Sequence, residues 1–204
     1  MLIATPRGDA RVHRDVPAVP VSLLVLGHGA GGGVDAPDLT AVTAAALAAD
    51  VAVVRVEQPY RVAGRRAPAP ATHLDQAWVS VVQAVRAEPG LGRLPLVVAG
   101  RSSGARVACR TVVEVGAAAV LALAFPLHPP GRPERDRGAE LDAVTVPVLV
   151  VQGDRDPFGM PVTAPGRAVR VIPGANHSLR SATGQIAEAV VDWLSGLGFA
   201  RRPT

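Results

Sequence analysis

Lysine is absent from the 204 residues, so all 21 basic side chains are arginine. Isoleucine is scarce as well (Ile3, Ile172 and Ile186), whereas alanine occurs 36 times. This bias has the look of a GC-rich genome, so the net charge of +4 and the sequence pI of ≈ 10.8 are weak guides to partners. The arginines are scattered, with clusters only at Arg65-Arg66, Arg132 to Arg137 and Arg201-Arg202. Nucleic-acid faces concentrate charge on one element, so solvated loops are expected. Two Trp, one Tyr and three Phe are too few for a base-stacking platform. The single cysteine, Cys109, excludes an internal disulfide and a cysteine-rich zinc site, and reads as a small buried apolar residue. No apolar run approaches the roughly 20 residues of a membrane helix; the longest, Ala117 to Leu127, is strand-like and ended by prolines. Met1 to Arg14 lacks the apolar stretch of a signal peptide. A soluble, cytoplasmic protein is expected, with no nucleic-acid or membrane partner and no metal or organic cofactor.

Hydrophobic residues make up 49% and charged residues 19%, enough to build a core and too little charge for disorder. One domain over residues 1–204 is expected, its core at about 20–196, and its last four residues frayed. Apolar strand-like runs at Val21–Gly27, Val51–Val56, Leu96–Ala99, Val120–Phe125, Val148–Gln152 and Ala168–Ile172 alternate with helical stretches. The helices are predicted at Asp38–Ala49, Leu74–Ala87, Ser103–Val115 and Ala182–Leu194, with Asp38 as an N-cap and Gly196 as a stop. Weaker strands precede them at Leu2–Ala4 and Arg11–Val16. Such alternation is the mark of an α/β fold whose mostly parallel sheet is covered on both faces. Two Pro/Arg-rich loops, Gln58–Ala71 and Pro126–Gly138, follow strands and so belong at the carboxyl edge, where open α/β sheets place ligands.

The strongest local signal is Gly100-Arg101-Ser102-Ser103-Gly104, between a strand and a helix. In that context G-x-S-x-G reads as a nucleophile elbow. Only Ser102 has glycines at both −2 and +2, and the amide of Ser103 becomes a candidate oxyanion donor. The plain alternative is a glycine-rich turn with two N-cap serines. A serine hydroxyl needs a base and an orienting acid. His177 follows the strand Ala168–Ile172, and Asp154 and Asp156 follow Val148–Gln152, giving the order Ser, Asp, His at successive strand ends. Spacing does not choose between the two aspartates. The run Gly27-His28-Gly29-Ala30-Gly31-Gly32-Gly33 offers a second oxyanion amide, best placed at Ala30, with His28 bracing the loop. No G-K-[ST] follows it, which sets aside a phosphate loop.

Taken together, these segments resemble the α/β-hydrolase superfamily, in a dienelactone-hydrolase-like branch that includes the testis-expressed-protein and chromatin-complex-subunit type of domain and many bacterial proteins. Phe125-Pro126-Leu127-His128-Pro129-Pro130-Gly131 and Asp154-Arg155-Asp156-Pro157-Phe158-Gly159 add to the likeness, which runs from about residue 21 to 195. The resemblance implies a three-layer α/β/α hydrolase fold, with Ser102 as nucleophile, Asp156 as acid and His177 as base. Dienelactone hydrolases proper carry cysteine where this chain has Ser102.

Arg101 is expected either to pair with Glu57, at the end of a neighbouring strand, or to meet a substrate carboxylate. Tyr60, Phe125 and Phe158 lie at strand ends and are candidates for an acyl pocket or for packing under the loops, with His128 at its border. After Val120–Phe125, where larger relatives insert a cap, stands only the Pro/Arg loop, so a minimal, capless fold with an open site is expected. The function expected is hydrolysis of a small ester, thioester or amide on a small-molecule acyl substrate. The alternative is a hydrolase-fold protein that binds a partner or ligand without turnover.

Overall fold

In a computed structural model that describes residues 1–201, eight strands form one sheet in the order β1-β2-β4-β3-β5-β6-β7-β8. The strands are β1 (Leu2–Ile3), β2 (Ala10–Asp15), β3 (Ser22–Gly27), β4 (Val51–Glu57), β5 (Leu96–Arg101), β6 (Ala119–Leu123), β7 (Val148–Gly153) and β8 (Arg167–Ile172). β1 and β2 pair antiparallel at one edge, and β2 pairs antiparallel with β4. From β4 to β8 every pairing is parallel. The helices are α1 (Pro37–Ala48), α2 (Pro59–Val62), α3 (Ala71–Arg86), α4 (Ser103–Thr111), α5 (Gly138–Asp142) and α6 (Thr183–Gly196), with a 3-10 turn at Arg180–Ala182 before the last.

Side chains alternate across a strand, so each central strand feeds two cores. Leu23 and Val25 of β3 join Val54, Val98 and Val120 on the face covered by α3 and α4. Leu24 and Leu26 join Val53, Val97 and Leu121 on the other, beneath α1 and α6. All of these are fully buried, which explains why β3 to β7 read as continuous apolar runs rather than alternating ones. The eighth strand departs from that rule: as an edge strand it leaves Val171 exposed.

The expected elements occur at nearly their expected places, with informative differences. α1 starts at Pro37, whose missing N–H suits the first helical position, so Asp38 is not the N-cap but sits inside the first turn with its side chain buried. α4 stops at Thr111 rather than Val115. α6 stops at Gly196 as expected, and the left-handed glycine that closes it is Gly198: its φ is 75°, its N–H donates to Ser195 O, and Phe199 N–H reaches back to Leu194 O. Arg201 is tied to Ala49 and Asp50 rather than frayed, and the other expected frayed residues, 202–204, lie outside the described residues. Between β6 and β7 stand only a loop and five-residue α5, so no cap is inserted there.

Phe125, a candidate for an acyl pocket or for packing under the loops, is fully buried in the core below the sheet edge and so packs. β6 ends at Leu123, and Ala124, at φ 48°, turns the next side chain inward. Truncation Phe125→Ala should therefore cost about 3–5 kcal/mol in urea unfolding, the range for a large buried aromatic. A loss under about 1 kcal/mol would place the ring on an open surface after all.

Candidate active site

Ser102 stands where β5 turns into α4, with φ 53° and ψ −110°. A non-glycine residue pays for that conformation with about 1–3 kcal/mol of strain, so its surroundings must enforce it. They do so through two glycines. A Cβ on Gly100 would lie 2.2 Å from the carbonyl carbon of Gly104, and a Cβ on Gly104 only 2.7 Å from the carbonyl oxygen of Gly27. The helix start is thereby pressed against β5 and β3 at backbone distance. The Ser102 amide donates to Leu123 O at 2.9 Å, tying the turn to β6 as well.

His177 follows β8, and its Nε2 lies 2.9 Å from Ser102 Oγ. Its Nδ1 lies 2.8 Å from Asp156 Oδ2, so the other ring nitrogen is left to accept the serine proton. Asp156 is the aspartate brought to the histidine. Asp154 instead accepts the Gly174 N–H at 2.7 Å and shapes the turn. The Asp156 side chain is fully buried, and its other oxygen accepts the Phe158 N–H at 2.9 Å. Gln152, the penultimate residue of β7, donates to Asp156 Oδ2 at 2.8 Å. The sequence reading passed over Gln152; a polar residue closing an apolar strand directly before Gly153-Asp154 was the available signal. The Phe158 ring stacks on His177, with centroids 4.0 Å apart.

The loop after β3 is held from beneath. His28 is buried, which lowers its pKa below the ordinary 6.5, its largest cause being desolvation. Its Nε2 accepts the Gln58 N–H at 3.1 Å, so the neutral ring carries its proton on Nδ1 and donates it to Gly29 O at 2.8 Å. Gly29 O also accepts the Gly32 N–H. Because a trans peptide points C=O and N–H oppositely, turning Gly29 O toward His28 turns the Ala30 N–H away from it. Neither Ala30 N–H nor Ser103 N–H has an acceptor among the described residues. Tyr60 donates its hydroxyl to Ala30 O at 2.9 Å, and burial pushes its pKa up to about 12.

Arg101 does not pair with Glu57. β3 lies between β4 and β5, so the strand ends that carry the two residues are not adjacent, and Glu57 pairs with Arg11 instead. The Arg101 guanidinium faces Asp38, Nε to Oδ2 3.4 Å, and Nη2 donates to His177 O at 3.2 Å. Burial raises the Asp38 pKa, and Arg101 opposes the shift. Arg101 thus holds the backbone of the histidine loop. His128 packs over Gly159 and bonds its own neighbour, Pro129 O, making no hydrogen bond to Ser102, Asp156 or His177. Among the described residues no group of three or more His, Cys, Asp or Glu is placed to hold a metal ion, and no helix is long and apolar enough to cross a membrane.

A serine on a strained elbow at the centre of a mostly parallel sheet, with aspartate and histidine on later strand-end loops, defines the α/β-hydrolase fold. Residues 20–191 match the family of alpha/beta hydrolase domains, and the chain belongs to that family. Its structure is similar to an alpha-beta serine hydrolase homologue from Coxiella burnetii (20% identity, TM-score 0.76, covering 95% of this chain and 96% of that one). It is also similar to a serine hydrolase without lid from Xanthomonas campestris (21%, 0.75, 97% and 93%) and to a dienelactone hydrolase from Anabaena variabilis (16%, 0.77, 99% and 97%). No curated protein matches the chain in sequence.

A buried neutral His28 makes stability depend on pH. In the unfolded chain this imidazole gains a proton near pH 6.5, while the folded one resists until lower pH. Its contribution is complete above 6.5 and drains as pH falls below it, by at most about 1.4 kcal/mol per pH unit. Unfolding free energies measured from pH 7.5 down to 5 should fall more steeply for the parent than for His28→Gln. Parallel curves would show that His28 takes up its proton equally in the folded and the unfolded chain.

Proposed function

We propose that the protein is a serine hydrolase that cleaves a small ester, thioester or amide through an acyl-enzyme. The observation that carries this reading is the continuous chain Asp156–His177–Ser102, with contacts of 2.8 and 2.9 Å. His177 takes the proton of Ser102 as Oγ attacks the carbonyl carbon. The electron pair of the carbonyl moves onto oxygen, where the amides of Ala30 and Ser103 receive the charge. Asp156, buried and held by Gln152 and Phe158 N–H, orients the ring and stabilises the imidazolium. His177 then protonates the leaving group, and returns as base to activate the water that releases the acid. Each step moves one proton through one ring nitrogen, which is why the Nδ1 contact to Asp156 matters: it keeps Nε2 free.

On this reading the working unit is one domain over residues 1–204, and its partner is a small-molecule acyl substrate rather than nucleic acid or membrane, in the cytoplasm. The absence of a cap between β6 and β7 favours small or surface-presented acyl groups. We place the chain in a dienelactone-hydrolase-like branch of the testis-expressed and chromatin-subunit type, with Ser102 where dienelactone hydrolases proper carry cysteine.

A fluorophosphonate probe tests the reading directly. The parent protein should be labelled at Ser102, whereas Ser102→Ala and His177→Ala should not. Against a responsive p-nitrophenyl ester, Ser102→Ala should lower kcat by on the order of 10⁶. Asp156→Asn, which spoils the tautomer and leaves the geometry, should lower it by about 10⁴. Folded parent protein that takes up no label would mark a hydrolase-fold binding protein without turnover.

A further inference from the structure

A cavity of about 440 Å³ opens beside the site without being lined by Ser102, Asp156 or His177. That volume lies within the roughly 300–1,000 Å³ of small-molecule sites. Its mouth carries Arg7, Arg65 and His73 against a single carboxylate, Asp9. Both arginines are exposed; Arg7 spends its Nε on Gln76, and no other group among the described residues occupies either guanidinium. Pro59, Val62 and Leu74 make an apolar waist. At the inner end, Gln58, Tyr60 and Leu74 are shared with a small void of about 10 Å³ bordered by Trp78. Gln58 is 6% exposed, yet its Oε1 has no hydrogen-bond partner among the described residues. Buried polar atoms are normally paired, so an orphan acceptor on a residue that lines the cavity calls for a donor. A hydroxyl supplies one, donating to the amide oxygen. The void is of the size that one water-sized group fills.

We propose that this cavity is a second binding site, for a small organic anion that carries a hydroxyl at the end opposite its charge. The hydroxyl meets Gln58, the apolar body lies against Pro59 and Leu74, and the anionic group meets Arg7 and Arg65. The site touches the oxyanion loop through two bonds, Tyr60 hydroxyl to Ala30 O and Gln58 N–H to His28 Nε2. Occupancy therefore bears on the Ala30 amide, a consequence that rests on the hydrolase reading, whereas the binding itself does not.

The experiment is calorimetric titration of Ser102→Ala protein with 4-hydroxybenzoate, which requires no turnover and so stands or falls apart from the proposed activity. Saturable one-site binding is expected. It should weaken by about tenfold or more in Arg7→Ala/Arg65→Ala, two exposed positions whose loss leaves the core intact. Benzoate, lacking the hydroxyl, and Gln58→Leu should each weaken it by about fivefold or more. No saturable binding, or equal affinity in the double arginine variant, overturns the site. Equal affinity for benzoate and 4-hydroxybenzoate overturns the assignment of its inner end.

Discussion

The arrangement depends on a backbone contact that only glycine permits. Where α4 leaves β5, Gly100 meets Gly104 and Gly104 meets Gly27, at distances a single added carbon would close to 2.2 and 2.7 Å. That contact lets the helix begin directly against the two central strands. It forces the intervening Ser102 into a left-handed φ with its hydroxyl clear of the sheet. The strain is held by cooperation among neighbours: the Ser102 amide bonds β6, and its carbonyl accepts Arg106 N–H to open the helix. A loosened elbow would relax the serine to an ordinary conformation and lose its line to His177.

Around this point, each functional loop is restrained by bonds one step removed from the chemistry. Gln152 and the Phe158 amide hold Asp156, Phe158 stacks on His177, and Arg101 grips the His177 carbonyl. His28 and Tyr60 hold the two peptides on either side of Ala30. The site can therefore be open, without a cap, and still keep its side chains in register, because its rigidity comes from below rather than from a lid.

The arginines show a similar economy. Arg106 and Arg110 bond Glu140 and Asp75 and so tie α4 to α5 and α3, while Arg55 reaches Asp15 and Asp35. With no lysine in the chain, the planar guanidinium does the bridging between elements, a task for which its fixed fork of donors suits it. Positive charge is thereby distributed among partners across the molecule rather than gathered on one face.

Much of this was legible in one dimension. Apolar runs marked the strands because a sheet buried on both faces tolerates little else, and the spacing of Gly100, Ser102 and Gly104 announced the elbow because its sterics allow few other residues. Local chemistry also placed His177 and both aspartates at strand ends. What the chain order could not convey was which strand ends become neighbours. β3 inserts between β4 and β5, so Arg101 meets Asp38 and His177 while Glu57 turns to Arg11. Phe125 went inward because Ala124 turned the backbone, and Gln152 reached Asp156 because β7 ends beside its own loop. Periodicity and steric necessity act over a few residues and are written in the sequence. Contacts between loops depend on strand order and on single backbone turns, and those exist only once the sheet has assembled.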